Sequence, residues 1–160
     1  MPTLHDHLKG RLQHTRRDLD EALDNIGDLS LDYAPSPGMN TISDLLCELL
    51  ATERQFQDEI LGRKQENYAA LLDQYARKSA AAYRELLHAT RAETNRIIDS
   101  LSKEELDSEV PLNGDWWQFT CQPTAPLHEV IRTISTHEWY HTGQLVTYLW
   151  ASGKNPRDWS

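Results

Sequence analysis

The sequence is poor in the features that mark several common classes of protein. It has only two cysteines among 160 residues, which excludes a disulfide framework as the source of its stability. Basic residues are fewer than acidic ones, 16 against 25, and the formal net charge of −9 argues against nucleic-acid binding through phosphate contacts. Uninterrupted apolar runs extend over a few residues only, so the sequence predicts no membrane-spanning helix.

The beginning of the chain also lacks the pattern of a signal peptide. Charged and polar residues in "MPTLHDHLKG" fall where a signal peptide has its apolar core. We therefore expect a cytoplasmic protein in which Cys47 and Cys121 are reduced thiols. The length of 160 residues and the mean hydropathy of −0.66 predict one globular domain over residues 1–160.

Apolar residues recur at three- and four-residue spacing in four segments, and this pattern predicts helices. The segments run from about Thr3 to Ile26, Thr41 to Leu61, Ser79 to Leu101 and Leu127 to Ala151. Thr41 with Asp44 resembles a capping box at the start of the second helix. Residues 63–78 are ambiguous between a short helix and a lead-in to the next long one. Four amphipathic helices without a series of strands predict an all-α fold, a four-helix bundle.

The composition changes before the last predicted helix. The stretch from Val110 to Pro126 reads "VPLNGDWWQFTCQPTAP" and combines prolines, aromatic residues and an Asn-Gly pair. These residues predict a short irregular or hairpin excursion that turns at Asn113-Gly114.

The last predicted helix contains two histidines four residues apart, in the stretch "THEWYHTGQL". At this spacing His137 and His141 share one helix face, and Ile134 and Leu145 place that face toward the interior. Buried imidazoles need partners, so a bound divalent metal is favoured over two hydrogen-bonded core histidines. The string H-E-x-x-H also occurs in zinc proteases, which raises the question of peptidase activity.

The context of the string argues against a peptidase. The extended protease motif places glycine three residues and histidine six residues after the second histidine. Here Gly143 comes two residues after His141, and Thr147 stands in the place of the final histidine. Another form of the motif needs a glutamate well downstream, but the only acidic residue after His141 is Asp158.

Gly143 and Glu138 lie close to the histidines in the sequence, and we expect both to have structural roles. Glycine within a helix costs about 1 kcal/mol relative to alanine, so we expect Gly143 to allow close packing against another helix. Glu138 would be the base in a protease; here we expect it to be solvated, or paired with Arg132 or another cation.

A third ligand has to come from upstream, and the second helix offers two glutamates. Glu53 lies in the middle of the apolar stripe of this helix, and Glu48 lies on the flank of the stripe. A carboxylate on an apolar face is costly unless it is paired. Either residue could meet His137 and His141 across a bundle. The apolar periodicity of the second helix slightly favours Glu53, and both glutamates remain candidates for the third ligand.

Three segments resemble the DinB-like (YfiT-like) metalloenzyme family over nearly the whole chain. "HEWYHTGQLVTYLWASGKNPRDW" is similar to the family's H-x-x-x-H-x-G-Q signature, "TISDLLCELLATE" to its second-helix motif and "LSKEELDSEV" to the segment after helix three. The resemblance implies that His137 and His141 are metal ligands. The family's second-helix histidine falls on Glu48, which becomes the third ligand, and its downstream glutamate falls on Glu53. Glu53 and Gln144 remain candidates for an alternative ligand or for a residue that orients one.

The resemblance also implies a function. Two histidines and a carboxylate suit zinc, nickel or ferrous iron, although the metal could have been lost in this chain. We expect a metal-dependent enzyme with a small-molecule substrate: a transferase that uses a low-molecular-weight thiol, or a hydrolase that uses water. Arg132, the one basic residue of the last helix, is predicted to face away from the histidines, which counts against the transferase. The alternative is a non-catalytic, stress-related binding or dimerisation module, and relatives of this type imply a homodimer.

Overall fold

The computed structural model describes residues 1–112 and 122–159. Its helices are α1 (Leu4–Asp24), α2 (Ile42–Ile60), α3 (Tyr68–Tyr75), α4 (Ala80–Ser100), α5 (Lys103–Leu106) and α6 (Leu127–Ala151), and a single 3-10 turn follows at Pro156–Asp158. The two short strands are β1 (Glu109–Pro111) and β2 (Thr124–Pro126). This architecture confirms the predicted all-α bundle with a short excursion before the last helix.

The four long helices pack in an arrangement that brings α2 and α6 side by side. Helix α6 packs against α1 and α2, and α4 packs against the same two helices from the other side. Side chains on the inner faces of α2 and α6 therefore meet. The ambiguous segment 63–78 contains the short helix α3, which packs against α2.

Local sequence signals set most of the helix starts. The side chain of Thr41 accepts a hydrogen bond from the Asp44 amide and the Asp44 side chain accepts one from the Thr41 amide, which confirms the predicted capping box. Helices α1 and α5 begin with the same device. Helix α6 follows Pro126 without a side-chain cap, and the backbone amide of Leu127 donates instead to the Ser108 carbonyl at 2.9 Å.

The described residues at the two ends of the excursion before α6 pair as a two-stranded antiparallel ribbon. Val110 in β1 lies opposite Ala125 in β2. The expected hairpin is thus present in its two strands, while the turn predicted at Asn113-Gly114 lies outside the described residues.

The core consists of two apolar clusters with charged residues between them. One cluster includes Leu19, Leu49 and Leu145, and the other includes Leu12, Phe56 and Ile134. Along each long helix, one buried charged residue falls between the members of the two clusters: Arg16, Glu53, Arg91 and Glu138. In the part of the chain that the structure describes, no helix combines the length and the apolarity needed to cross a bilayer.

Candidate metal centre

Glu48 on α2 and the two histidines on α6 converge. The Nε2 atoms of His137 and His141 lie 3.1 Å apart, and Glu48 Oε1 lies 3.4 Å from Nε2 of His141 and 3.9 Å from Nε2 of His137. His141 is buried, whereas His137 and Glu48 are half-buried. Within residues 1–112 and 122–159, this is the one group of three metal-binding side chains whose ligand atoms all lie within 4.8 Å of one another.

The separations of these atoms match the requirements of a metal site. Zinc binds imidazole nitrogen and carboxylate oxygen at about 2.0–2.2 Å, so ligand atoms at tetrahedral positions lie about 3.4 Å apart. The three observed distances, 3.1, 3.4 and 3.9 Å, bracket that value. Two nitrogens and one oxygen also suit nickel and ferrous iron when further coordination positions stay open. The residues therefore fit a divalent cation.

The electrostatics of the site keep Glu48 available as an anionic ligand. The neighbouring imidazoles, His137 first and then His141, hold the pKa of the Glu48 carboxyl well below its usual range, although partial burial acts in the opposite direction. The carboxyl group is consequently ionised at neutral pH, as a ligand has to be.

Gln144 contacts one of the histidines and lies outside the group of three possible ligand atoms. Its Oε1 atom lies 2.7 Å from Nδ1 of His141 and accepts the hydrogen bond from the Nδ1–H group. With Nδ1 engaged in this way, the Nε2 atom of His141 faces His137 and Glu48. The Gln144 amide also donates to the hydroxyl group of Tyr140 at 3.3 Å. Such partners fix the ring orientation of histidine ligands in metal sites.

A cavity of about 600 Å³ opens directly beside the three residues. Besides Glu48, His137 and His141, its walls are formed by side chains of α2, α3 and α6: Thr52, Gln55, Phe56, Tyr68, Thr133, Thr136 and Tyr140. A small molecule that enters this cavity reaches the atoms that would hold the cation.

The structure places Glu53, the alternative ligand, outside the group formed by Glu48 and the two histidines. Both of its carboxylate oxygens are bound within the core, by Arg91 Nε at 2.7 Å, Arg91 Nη2 at 3.1 Å, Arg16 Nη2 at 3.3 Å and the Thr94 hydroxyl at 2.7 Å. Burial is the largest single influence on Glu53 and raises its pKa, but the charges and hydrogen bonds of Arg91, Arg16 and Thr94 together outweigh it, so the pKa lies below the ordinary value. Glu48 and Glu53 are both inward carboxylates, and only Glu48 meets the histidines.

Glu138 belongs to the same buried cluster, so the expectation that it is solvated or paired with Arg132 is wrong. Arg16 binds it at 2.6 and 3.0 Å, and Arg91 binds it at 2.9 Å, which confirms pairing with another cation. Arg132 pairs instead with Glu129. The sequence carried a signal for this cluster, because Arg16 and Arg91 each interrupt the apolar stripe of a helix.

Gly143 does not pack closely against a neighbouring helix. The residue is exposed, and among the described residues nothing lies within 4 Å of a Cβ atom built on it. The expected packing role is therefore wrong, and the glycine lies on the outer face of α6.

Comparison with known proteins shows the family to which the chain belongs. Residues 11–145 match the family model of the DinB superfamily. The chain belongs to the DinB superfamily. The DinB-like protein YjoA from Bacillus subtilis is similar in structure, with a TM-score of 0.65 and 18% sequence identity over 92% of each chain, which supports the DinB fold alone. No curated protein matches the chain in sequence.

Proposed function

We propose that this DinB superfamily member is a metal-dependent enzyme, either a thiol-dependent transferase or a hydrolase. The observation that supports this most strongly is the convergence of Glu48, His137 and His141 beside a cavity of about 600 Å³. A divalent cation held there supplies Lewis acidity, which lowers the pKa of a thiol or a water molecule so that it can act as a nucleophile at neutral pH.

The residues of the chain have separate tasks in this proposal. Glu48 provides negative charge that partly neutralises the cation, and the two imidazoles provide neutral donors. Gln144 keeps Nε2 of His141 directed at the cation through the bond to Nδ1. The rings of Phe56 and Tyr68 displace water from the cavity and provide an apolar surface for a substrate.

Metal binding is the first test. Zinc added to chelator-treated protein should bind one ion per chain in isothermal titration calorimetry, and zinc at about 100 times its Kd should stabilise the fold by roughly 2.7 kcal/mol. His141→Ala and Glu48→Gln should lose most of this effect. His88→Ala is the matched control, because His88 is exposed on α4 and pairs with Asp20. Equal zinc affinity in the wild type and His141→Ala would contradict the proposal.

The chemistry is the second test. The zinc-, nickel- and iron-loaded proteins are incubated with an electrophile in the presence and absence of a low-molecular-weight thiol. Metal-dependent loss of the thiol indicates the transferase, and metal-dependent turnover in water alone indicates the hydrolase. The absence of both with every metal would leave a binding protein.

A non-catalytic dimerisation module is the second candidate, favoured by the outer face of α6. Trp139 and Trp150 are large and are 56% and 55% exposed, and exposed Gly143 lies between them on the helix. Large exposed aromatic residues grouped on one face are typical of interfaces. Analytical ultracentrifugation checks this candidate: a metal-independent dimer that dissociates in Trp139→Ser/Trp150→Ser supports it, and a monomer contradicts it.

A further inference from the structure

The cavity beside Glu48, His137 and His141 has walls that distinguish between ligands by charge. The rings of Phe56 and Tyr68 contribute apolar surface. Among the described residues that line it, none is a lysine or arginine, and the sequence of residues 113–121 contains neither. Arginines on the same helices are paired with carboxylates: Arg54 with Asp58 and Glu66, and Arg132 with Glu129.

Two of the hydroxyl groups in these walls donate to backbone carbonyls. Thr133 donates to the Glu129 carbonyl at 3.0 Å, and Thr136 donates to the Arg132 carbonyl at 3.4 Å. These two hydroxyls therefore present lone pairs to a ligand, and lone pairs repel a carboxylate. Thr52 and Tyr68 are bonded to each other at 3.1 Å.

The space next to this cavity is acidic. A second cavity of about 420 Å³ shares Glu48 and Tyr68 with the first, and Asp44 and Asp73 also line it. A ligand that extends from the candidate metal centre in this direction approaches carboxylates. An anionic extension is therefore unfavourable on this side as well.

We infer that the substrate class of this site is uncharged and largely apolar outside the group that reaches the cation. The inference rests on the proposed function and narrows it. A divalent cation is balanced by Glu48 and one anionic ligand group. Any further carboxylate on the ligand would be desolvated in the cavity without a cationic partner, which is costly. Thiols that carry carboxylates are accordingly poor ligands, and a neutral aromatic compound is a good one.

A matched pair of probes tests this inference. Benzohydroxamic acid and 4-carboxybenzohydroxamic acid have the same metal-binding group and ring and differ by one carboxylate. Titration calorimetry of the zinc-loaded protein with each should give a Kd about tenfold higher for the carboxylated probe, the size of effect that one unit charge has near a protein surface.

A positive charge placed on the cavity rim should reduce or remove the preference for the neutral probe. Thr136 lines the cavity and is exposed, so Thr136→Lys adds a cation there without disturbing the core. This variant should bind the carboxylated probe about tenfold more tightly than the wild type does. Thr147→Lys is the matched control, because Thr147 is exposed on the same helix about 16 Å further along and does not line the cavity.

The outcomes separate this inference from the proposed function. Preference for the neutral probe, reduced by Thr136→Lys and unchanged by Thr147→Lys, supports it. Zinc binding with equal or tighter binding of the carboxylated probe overturns the inference and leaves the proposed function intact, as does zinc binding with no affinity for either probe. Failure to bind zinc overturns both.

Discussion

Helix α2 carries Glu48 and Glu53 five residues apart, and the surroundings of these two inward carboxylates differ completely. Glu53 is 4% exposed and is bound by two arginines and a threonine at 2.7–3.3 Å. The Glu48 side chain is 34% exposed and lies beside two imidazoles and an open cavity. Glu53 thus has a complete set of cationic partners, whereas Glu48 has space beside it for a cation.

This difference separates a structural polar cluster from a candidate functional one. In the buried cluster, Arg16 and Arg91 balance Glu53 and Glu138, so the two positive and two negative charges cancel. At the candidate metal centre, a carboxylate and two histidines leave a place for a divalent cation. A completed cluster holds helices together, whereas an incomplete one can bind a ligand.

The largest expected effect on stability comes from removing one arginine from the buried cluster of Arg16, Glu53, Arg91 and Glu138. Arg91→Met leaves two buried carboxylates with one arginine, and removal of one partner from a buried ion pair costs about 3–5 kcal/mol. Urea unfolding monitored by circular dichroism should show a loss of that size in the free energy of unfolding.

The matched change at the other site should be smaller. Glu48→Gln in metal-free protein removes a carboxylate whose partners are the imidazoles of His137 and His141 at a half-buried position, so it should lower the free energy of unfolding by about 1–2 kcal/mol. Similar losses for Arg91→Met and Glu48→Gln would show that the contrast between the two regions is wrong.

A smaller effect is expected from pH. The pKa of Glu53 is below its ordinary value in the folded state, so its ionisation stabilises the fold above about pH 4.5, and this contribution is lost as the pH falls through the lower folded pKa. The urea midpoint of metal-free protein should therefore fall between pH 5 and pH 3. In Glu53→Gln the decrease should be shallower, and an unchanged decrease would rule out Glu53 as a contributor.

The smallest effect concerns the outer face of the helix that bears the histidines. Gly143→Ala adds a methyl group where none of the residues in 1–112 and 122–159 lies within 4 Å, so it should stabilise the protein by about 1 kcal/mol through helix propensity alone. Gly153→Ala is the contrasting control and should destabilise, because Gly153 has a φ of +93°. Thermal unfolding measures both, and a less stable Gly143→Ala protein would mean that this face is covered in solution.

The fold could be predicted because its signals are local. The apolar spacing of α2 and the Thr41–Asp44 capping box act within one helix and its first turn, so they are readable without knowing what the helix packs against. The pairing of His137 with His141 is equally local, because a spacing of four residues is enough to place both rings on one face.

The partners across the bundle could not be predicted in the same way. Periodicity places both Glu48 and Glu53 inward, and which of them meets the histidines depends on how α2 and α6 are aligned. The partners of Glu53 and Glu138 lie on α1 and α4, far away in sequence. Only the tertiary structure therefore shows which charged residues pair. A search for one charged residue within each apolar stripe would have found Arg16 and Arg91.

The start of α6 has a dynamic consequence. Helix α6, which carries both histidines, begins without a side-chain cap and is attached through the Leu127 amide to Ser108, next to the paired strands β1 and β2. Separation of the strands would release this attachment and let the first turn of α6 fray. Amide protons in this first turn should then exchange with solvent at the rate at which the ribbon opens, and faster than the amide protons around His141. The ribbon would in this way hold the first turn of α6 in place.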